Sequence, residues 1–339
     1  MTTKRDGGLT ELQIERFHRD GFIGPLPKFC EEALVDEVHL SCLEAVNNPH
    51  PHPIYGRYSV RDWHLVFSRM EEFLTHPVLV DVLRSLIGND LVLWRSKIFY
   101  KKTNERGTGW HQEWGDFDGE EIGNCKPSLR PQNRENNWWN ITVWVALTDV
   151  ELECAPLRFI RGSHKKKYPK KMVPMPQSEF WHDPFIGCKS VADIVDRARN
   201  LTLVLDVDTS KIFEGVDVSR YTLEEAKEHV RCHLEKFPAK KTLGIDESKE
   251  DIVTLPMKRG EFVVFTERTM HGSLSNLSNK DRLAVNFRVT TTDTDIYPSR
   301  HQGDFIDGSN LDITKHENLL LSGEDLSLGR NKYRLGKRR

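Results

Sequence analysis

The most chemically suggestive residues stand in Gly109-Trp110-His111-Gln112-Glu113-Trp114, where a histidine and a carboxylate are two positions apart. In an extended chain alternate residues point the same way, so His111 and Glu113 present an imidazole and a carboxylate on one face. A second histidine, His271, follows the apolar run GEFVVF and precedes a polar loop that leads into another apolar run. If it joins the first two, two imidazoles and one carboxylate occupy one face of an octahedral metal and leave the other face open. That is the 2-His-1-carboxylate triad of non-haem Fe(II) oxygenases, whose open positions take a co-substrate and O2. A lone His-x-Glu is more often a solvated pair. Its weight here comes from company: His271, and an arginine at a fixed offset from it.

That arginine is Arg282, eleven residues after His271, with Ser273 between them in an H-x-S-x8-R pattern. By strand parity Arg282, Ala284, Asn286 and Arg288 face one way, and Leu283, Val285, Phe287 and Val289 the other. Burying guanidinium groups inside a barrel is costly unless an anion meets them, and the planar fork of arginine suits a carboxylate. A dicarboxylate bound end-on to the metal satisfies both demands. For Arg288 a structural ion pair is an equal alternative.

The elements that must position these groups change character along the chain. From Thr10 to about Asn47 apolar residues recur at helical spacing, with RDGFIGPLP read as a Gly/Pro-punctuated break between two helices. MEEFLTHPVLVDVLRSLIG predicts further helix closed by Gly88. The period then becomes two, and strands are predicted at 90–100, 140–150, 157–164, 260–267 and 282–292. Between Tyr168 and Asp251 lies a polar region with one clear helix, TLEEAKEHVRCHLEKF. The expectation is a mainly β protein with flanking helices. Its parts are a helical N-terminal part (1–89), a β core (90–168 and 253–295), an insertion or lid (169–252) and a C-terminal tail (296–339), all in a single domain. The insertion reads equally as a surface embellishment.

The 339 residues carry Lys+Arg 49 against Asp+Glu 51, a formal charge of −2, so no global field favours nucleic acid or an anionic membrane. No run approaches transmembrane length and the polar opening is no secretory signal, which makes the cytoplasm the expected location. The six cysteines, Cys30, Cys42, Cys125, Cys154, Cys188 and Cys232, are scattered without a CxxC pair and read as reduced thiols. The run HKKKYPKK is either a solvated loop or a docking surface for an acidic protein.

His111-x-Glu113, His271, Ser273 and Arg282, with ITVWVALTD and RFIRGSH between them, resemble the Fe(II)/2-oxoglutarate-dependent phytanoyl-CoA dioxygenase superfamily. DGFIGPL, LVLWRSKIF, GTGWHQ, NITVW and IYPS are similar to its syringomycin-type chlorinating branch, which acts on amino acids, often tethered to a carrier protein. The resemblance runs from about Leu9 to Ser299, with residues 170–252 matching poorly. It implies a double-stranded β-helix (jelly-roll, cupin-like) core, Fe(II), and 2-oxoglutarate and O2 as co-substrates. By its pattern Thr142 and Trp144 touch 2-oxoglutarate, Arg282 holds the distal carboxylate, and Arg288 sits near the open side of the metal. Trp144 also suits a plain core position.

One departure bears on the reaction. In the chlorinating enzymes the position of Glu113 is Ala or Gly, and the missing carboxylate leaves the coordination site that halide fills. With Glu113 retained, the resemblance implies hydroxylation of an aliphatic C–H of a small molecule, an amino acid or relative, free or carrier-tethered. The usual family carboxylate is Asp, and Glu, one methylene longer, must bend or shift the iron to ligate. A halogenase or desaturase on the same iron, or a non-catalytic β-barrel binding module, are the rival readings.

Overall fold

The first helix is fixed at both ends by local chemistry. Thr10 and Gln13 cap α1 (Glu11–Asp20) reciprocally, and Gly21, at φ 86°, turns the chain out of it. The chain runs straight into β1 (Phe22–Leu26), so the stretch expected to be only a break is a strand. Pro25 lacks an N–H and is tolerated there because β1 is an edge strand. Next come α2 (Glu32–Asn47), α3 (Ser68–Leu74) and α4 (Pro77–Ile87). Pro77, at the first turn of α4, splits what the periodicity alone reads as one helix.

The strands follow: β2 (Leu91–Lys101), β3 (Leu129–Arg130), β4 (Asn140–Ala146), β5 (Leu157–Ile160) and β6 (Lys170–Pro174). The insertion then folds α5 (Val191–Arg199), which was not anticipated, and α6 (Leu223–Leu234), which was. β7 (Pro238–Thr242), β8 (Ile252–Leu255), β9 (Phe262–Thr266), β10 (His271–Ser273), β11 (Arg282–Thr291), β12 (Asp295–Ile296) and β13 (Leu319–Ser322) complete the chain. With helices at the front and in the insertion, the protein is mixed α and β with antiparallel sheets rather than mainly β. This computed structural model describes residues 8–48, 50–113, 126–132, 140–178, 181, 183–204, 207–308 and 310–334. Among these, no helix is long and apolar enough to cross a membrane, and the five described cysteines are free; Cys125 lies outside them.

Two sheets face each other. The larger runs β1-β9-β4-β11-β2-β13 and the smaller β10-β5-β8. The parity expected for β11 is realised: Leu283, Val285, Phe287 and Val289 join Ile141, Val143 and Val145 in the core shared with the helices. Ala284 instead joins Trp144, Val263 and Phe265 between the sheets. Phe159 of the smaller sheet stacks on Phe22 at 4.6 Å and meets Phe265 edge-on at 5.1 Å, which seals one side of the interior.

The tail is held by a buried polar network. Asp62 accepts from the Ser96 N–H at 2.7 Å and from the Tyr55 hydroxyl, while Arg95 donates to Asp307 at 2.6 Å and to the Tyr297 hydroxyl. His64 and His316 are fully buried beside it, and burial pushes each down to about 3. Such histidines are neutral in the fold, whereas the unfolded chain takes up protons below about 6.5. Their contribution is therefore complete above that pH and is lost as pH falls from 6.5 toward 3, at about 1.4 kcal/mol per unit for each histidine. Urea unfolding of the wild type should weaken steeply between pH 6.5 and 5. His316→Gln should flatten that slope by one histidine's share.

Candidate active site

The two histidines are brought together by backbone pairing. His111 N–H donates to the His271 carbonyl, and His271 N–H to the His111 carbonyl, both at 2.9 Å, which sets the rings 4.1 Å apart between centroids. Close approach of the strands requires glycine. A Cβ on Gly272 would stand 2.8 Å from the Thr108 carbonyl oxygen and 3.1 Å from that of Gly109. Gly272→Ala should push the two chains apart by a few tenths of an ångström while leaving the fold intact. Iron titration should then show affinity about 10- to 100-fold weaker, the range typical when ligand orientation is disturbed.

Each imidazole is oriented by a carbonyl. His111 Nδ1 lies 2.9 Å from the Gly109 oxygen and His271 Nδ1 lies 2.7 Å from that of Thr269. Nδ1 must carry the proton in each, so each Nε2 keeps a lone pair for a metal. Burial holds His271 down at about 4; burial, then the neighbouring His271, holds His111 well below its ordinary range. Both are thus neutral near pH 7, as metal ligation requires. Phe265 and Phe159 wall the pair, with ring centroids 4.7 and 6.2 Å from His271.

Gln112 points the other way and anchors the segment. Its amide donates to the Lys166 and Arg268 carbonyls at 3.1 and 2.8 Å and accepts from the Tyr168 N–H at 2.7 Å. Locking Gln112 fixes the backbone on which His111 and Glu113 stand. Glu113 is half-buried, and its N–H donates to the Glu267 carbonyl at 2.8 Å. Its carboxylate is not gathered with the histidines: among the described residues no three His, Cys, Asp or Glu side chains stand in a metal-holding group. The structure thus brings together two of the three expected ligands. The segment 114–125, directly after Glu113, lies outside the described residues.

Arg282 lies in the interior and is 2% exposed. One guanidinium nitrogen donates to the Ala155 carbonyl at 2.8 Å and the group stands 5.3 Å over the Trp144 ring. Its Nε is buried without a hydrogen bond, and burial pulls the group down to about 10. Lys101 pairs with Arg282 in register, donates to the Arg106 carbonyl at 2.7 Å and is held down to about 8 by burial and then by Arg282. Two buried cations side by side call for an anion. Lys101 was not singled out in the sequence, although it continues the inward parity of Lys97 and Phe99. The Thr142 hydroxyl is buried without a partner on the same inward face as Trp144. Ser273 accepts from the Thr108 N–H at 3.1 Å, so its hydroxyl helps hold the His111 segment in place. Arg288, at the other end of β11, has its Nε 3.2 Å from Glu267 Oε1.

Paired imidazoles with outward lone pairs and a buried guanidinium awaiting an anion fit Fe(II) and a dicarboxylate. The chain belongs to the phytanoyl-CoA dioxygenase (PhyH) family, which matches residues 17–284. The protein is therefore a non-haem Fe(II)/2-oxoglutarate-dependent oxygenase of that family, for which Fe(II) and 2-oxoglutarate are the typical cofactor and co-substrate. Among solved structures it is similar to CytC3 with Fe(II) and alpha-ketoglutarate, at 21% identity and TM-score 0.60 over 96% of this chain and 93% of that one. The epimerase SnoN in complex with Fe3+, alpha ketoglutarate and nogalamycin RO matches at 16% and 0.54, over 97% and 96% of the two chains. Apo EctD from S. alaskensis matches at 16% and 0.53, over 87% and 82%. At these identities the likeness establishes a shared fold. No curated protein matches the chain significantly.

Proposed function

We propose that this oxygenase hydroxylates an aliphatic C–H bond of an amino acid or amino-acid-like metabolite, free or carrier-tethered, on a double-stranded β-helix core. The observation that carries the reading is the buried Arg282 guanidinium without an ion-pair partner among the described residues, on the same interior as the two oriented imidazoles. His111, His271 and Glu113 hold the iron, and Glu113 reaches it by turning its longer side chain inward from the His111 strand. Arg282 grips the distal carboxylate of 2-oxoglutarate, with Lys101 adding charge, Thr142 and Ser273 hydroxyl contacts and Trp144 a flat wall. When bound, iron and 2-oxoglutarate supply the oxidising power, and 2-oxoglutarate leaves as succinate and CO2. The aromatic walls exclude water, and Arg288 faces the open side where substrate enters.

Because Glu113 fills the coordination position that a halide needs, hydroxylation is favoured over halogen transfer. The fold alone does not fix the outcome, since SnoN is described as an epimerase. Substrate-stimulated succinate formation, with products weighed by mass spectrometry in chloride, bromide or azide, tests the assignment. A product heavier by one oxygen is expected; a halogenated or dehydrogenated product overturns it. Glu113→Ala should abolish hydroxylation, either by losing iron or by opening the site to halide. For the tethered form, the exposed Lys171 and Lys241 stand directly opposite on the two-stranded β6–β7 sheet, a repulsive pair that an acidic carrier would relieve.

A further inference from the structure

The end of the interior away from Arg282 carries polar atoms that the co-substrate clamp does not use. On β9, Val263 and Phe265 face inward, and Glu267 continues that alternation just past the strand. Glu267 is 2% exposed, and its Oε1 is buried without a hydrogen bond although Arg288 Nε lies 3.2 Å away. The charges attract, but the geometry is not that of a formed hydrogen bond. One strand over, Asn140 alternates with Ile141 on β4 and so shares the inward face of Thr142 and Trp144. Its oxygen accepts from Trp94 Nε1 at 3.2 Å, while its Nδ2 is buried without a partner.

Leaving a buried polar atom without a hydrogen-bond partner costs roughly 1–3 kcal/mol, more for a charged group. A carboxylate can only accept, and an amide nitrogen and a guanidinium can only donate. The complement of this set is one molecule that brings a cationic N–H donor and an anionic acceptor a short distance apart. The His pair packs on Phe265, which is level in register with Thr142 and Arg288 and two residues before Glu267. A group held at Glu267 and Arg288 therefore lies beside the His pair, at the end of β11 away from Arg282.

We propose that Glu267 and Arg288, with Asn140, form a zwitterion-recognition site: Glu267 receives the α-ammonium of the substrate, and Arg288 and Asn140 receive its α-carboxylate. This rests on the amino-acid reading above and narrows it, because a carboxylate tied up as a carrier thioester cannot fill the site. The substrate class is free α-amino acids. Glu267 is a substrate-positioning residue that the sequence reading did not single out.

The test uses the anaerobic full-length protein loaded with Fe(II) and 2-oxoglutarate, whose weak visible charge-transfer band responds when substrate approaches the iron. The probes are the twenty standard L-amino acids, their N-acetyl derivatives, their methyl esters and their pantetheine thioesters. At least one free amino acid should perturb the band, and its N-acetyl and ester forms should bind about 100-fold more weakly, the loss expected for a buried charged hydrogen bond. Glu267→Gln should weaken the free amino acid to a similar extent with the unperturbed band unchanged, and Glu267→Asp should retain part of the affinity. Equal binding of the N-acetyl or ester forms, tighter binding of a thioester, or unchanged affinity in Glu267→Gln overturns the site while leaving the oxygenase assignment standing. If the band forms and no amino acid in any form perturbs it, the amino-acid reading fails, and this site with it.

Discussion

His271→Ala should leave a folded protein that binds no iron and turns over no substrate. Iron content should fall from about one per chain to below about a tenth. Turnover should drop by at least ~10³-fold, beyond the 10- to 100-fold that follows loss of a mere outer-shell partner. The reason is geometric: His271 and His111 are fixed against each other by reciprocal backbone hydrogen bonds and by carbonyls on each Nδ1, so neither ring can swing to replace the other. Those backbone bonds survive truncation of the side chain, and so should the fold. A stability measurement separates ligation from unfolding. Iron at 100 times its dissociation constant stabilises a native state by about 2.7 kcal/mol. The wild type should show that gain in thermal or urea unfolding and His271→Ala should show none, while the two apo proteins unfold within a few degrees of each other. A variant that still gains stability from iron would remove His271 from the metal site.

Much of this site was legible because strand parity is a strong local constraint. The alternation of β11 separated Arg282, Asn286 and Arg288 from Leu283, Val285, Phe287 and Val289, and the two sets do pack in different places. His-x-Glu on one side of an extended segment is an expectation from the same rule; Gln112 between them is buried and bonded to the Lys166 and Arg268 carbonyls. What the sequence hid is of two kinds. β1 was masked by its own Gly and Pro, which punctuate turns in general and are tolerated here by an edge strand whose partner, β9, lies more than 200 residues on. Glu267 is the last residue of one predicted strand, and Lys101 lies one residue beyond another. Nothing local says that the facing cation of Lys101 is Arg282 or that Glu267 meets Arg288; only the register of β2 against β11, of β11 against β4 and of β4 against β9 creates those meetings. The carboxylate is the opposite case. The sequence names Glu113, yet a one-methylene excess over Asp means that its backbone position does not dictate where its oxygens lie.

Arg282→Met should raise the KM for 2-oxoglutarate by about 10²- to 10⁴-fold, the cost of about 3–5 kcal/mol expected when one partner of a buried charge pair is removed. The same substitution should not destabilise the apo protein. In the wild type the guanidinium is buried among Trp144 and backbone, held down to about 10 from its usual 12.5, a burial penalty on the order of 3 kcal/mol. Methionine fills a similar volume without that charge, and it relieves the repulsion on Lys101 from across the ladder. Against this stands the hydrogen bond to the Ala155 carbonyl, whose loss costs about 1–3 kcal/mol. The balance is about 0–2 kcal/mol in favour of the variant, read as an unchanged or raised urea midpoint. Arg282→Lys keeps the charge but loses the fork, and should fall between wild type and Arg282→Met in KM. Saturating 2-oxoglutarate should restore much of the rate in both, because the iron ligands are untouched. An Arg282→Met protein that unfolds more easily yet keeps its KM would make the guanidinium a strut between β11 and the Ala155 loop, and the interior would need another receiver for the dicarboxylate.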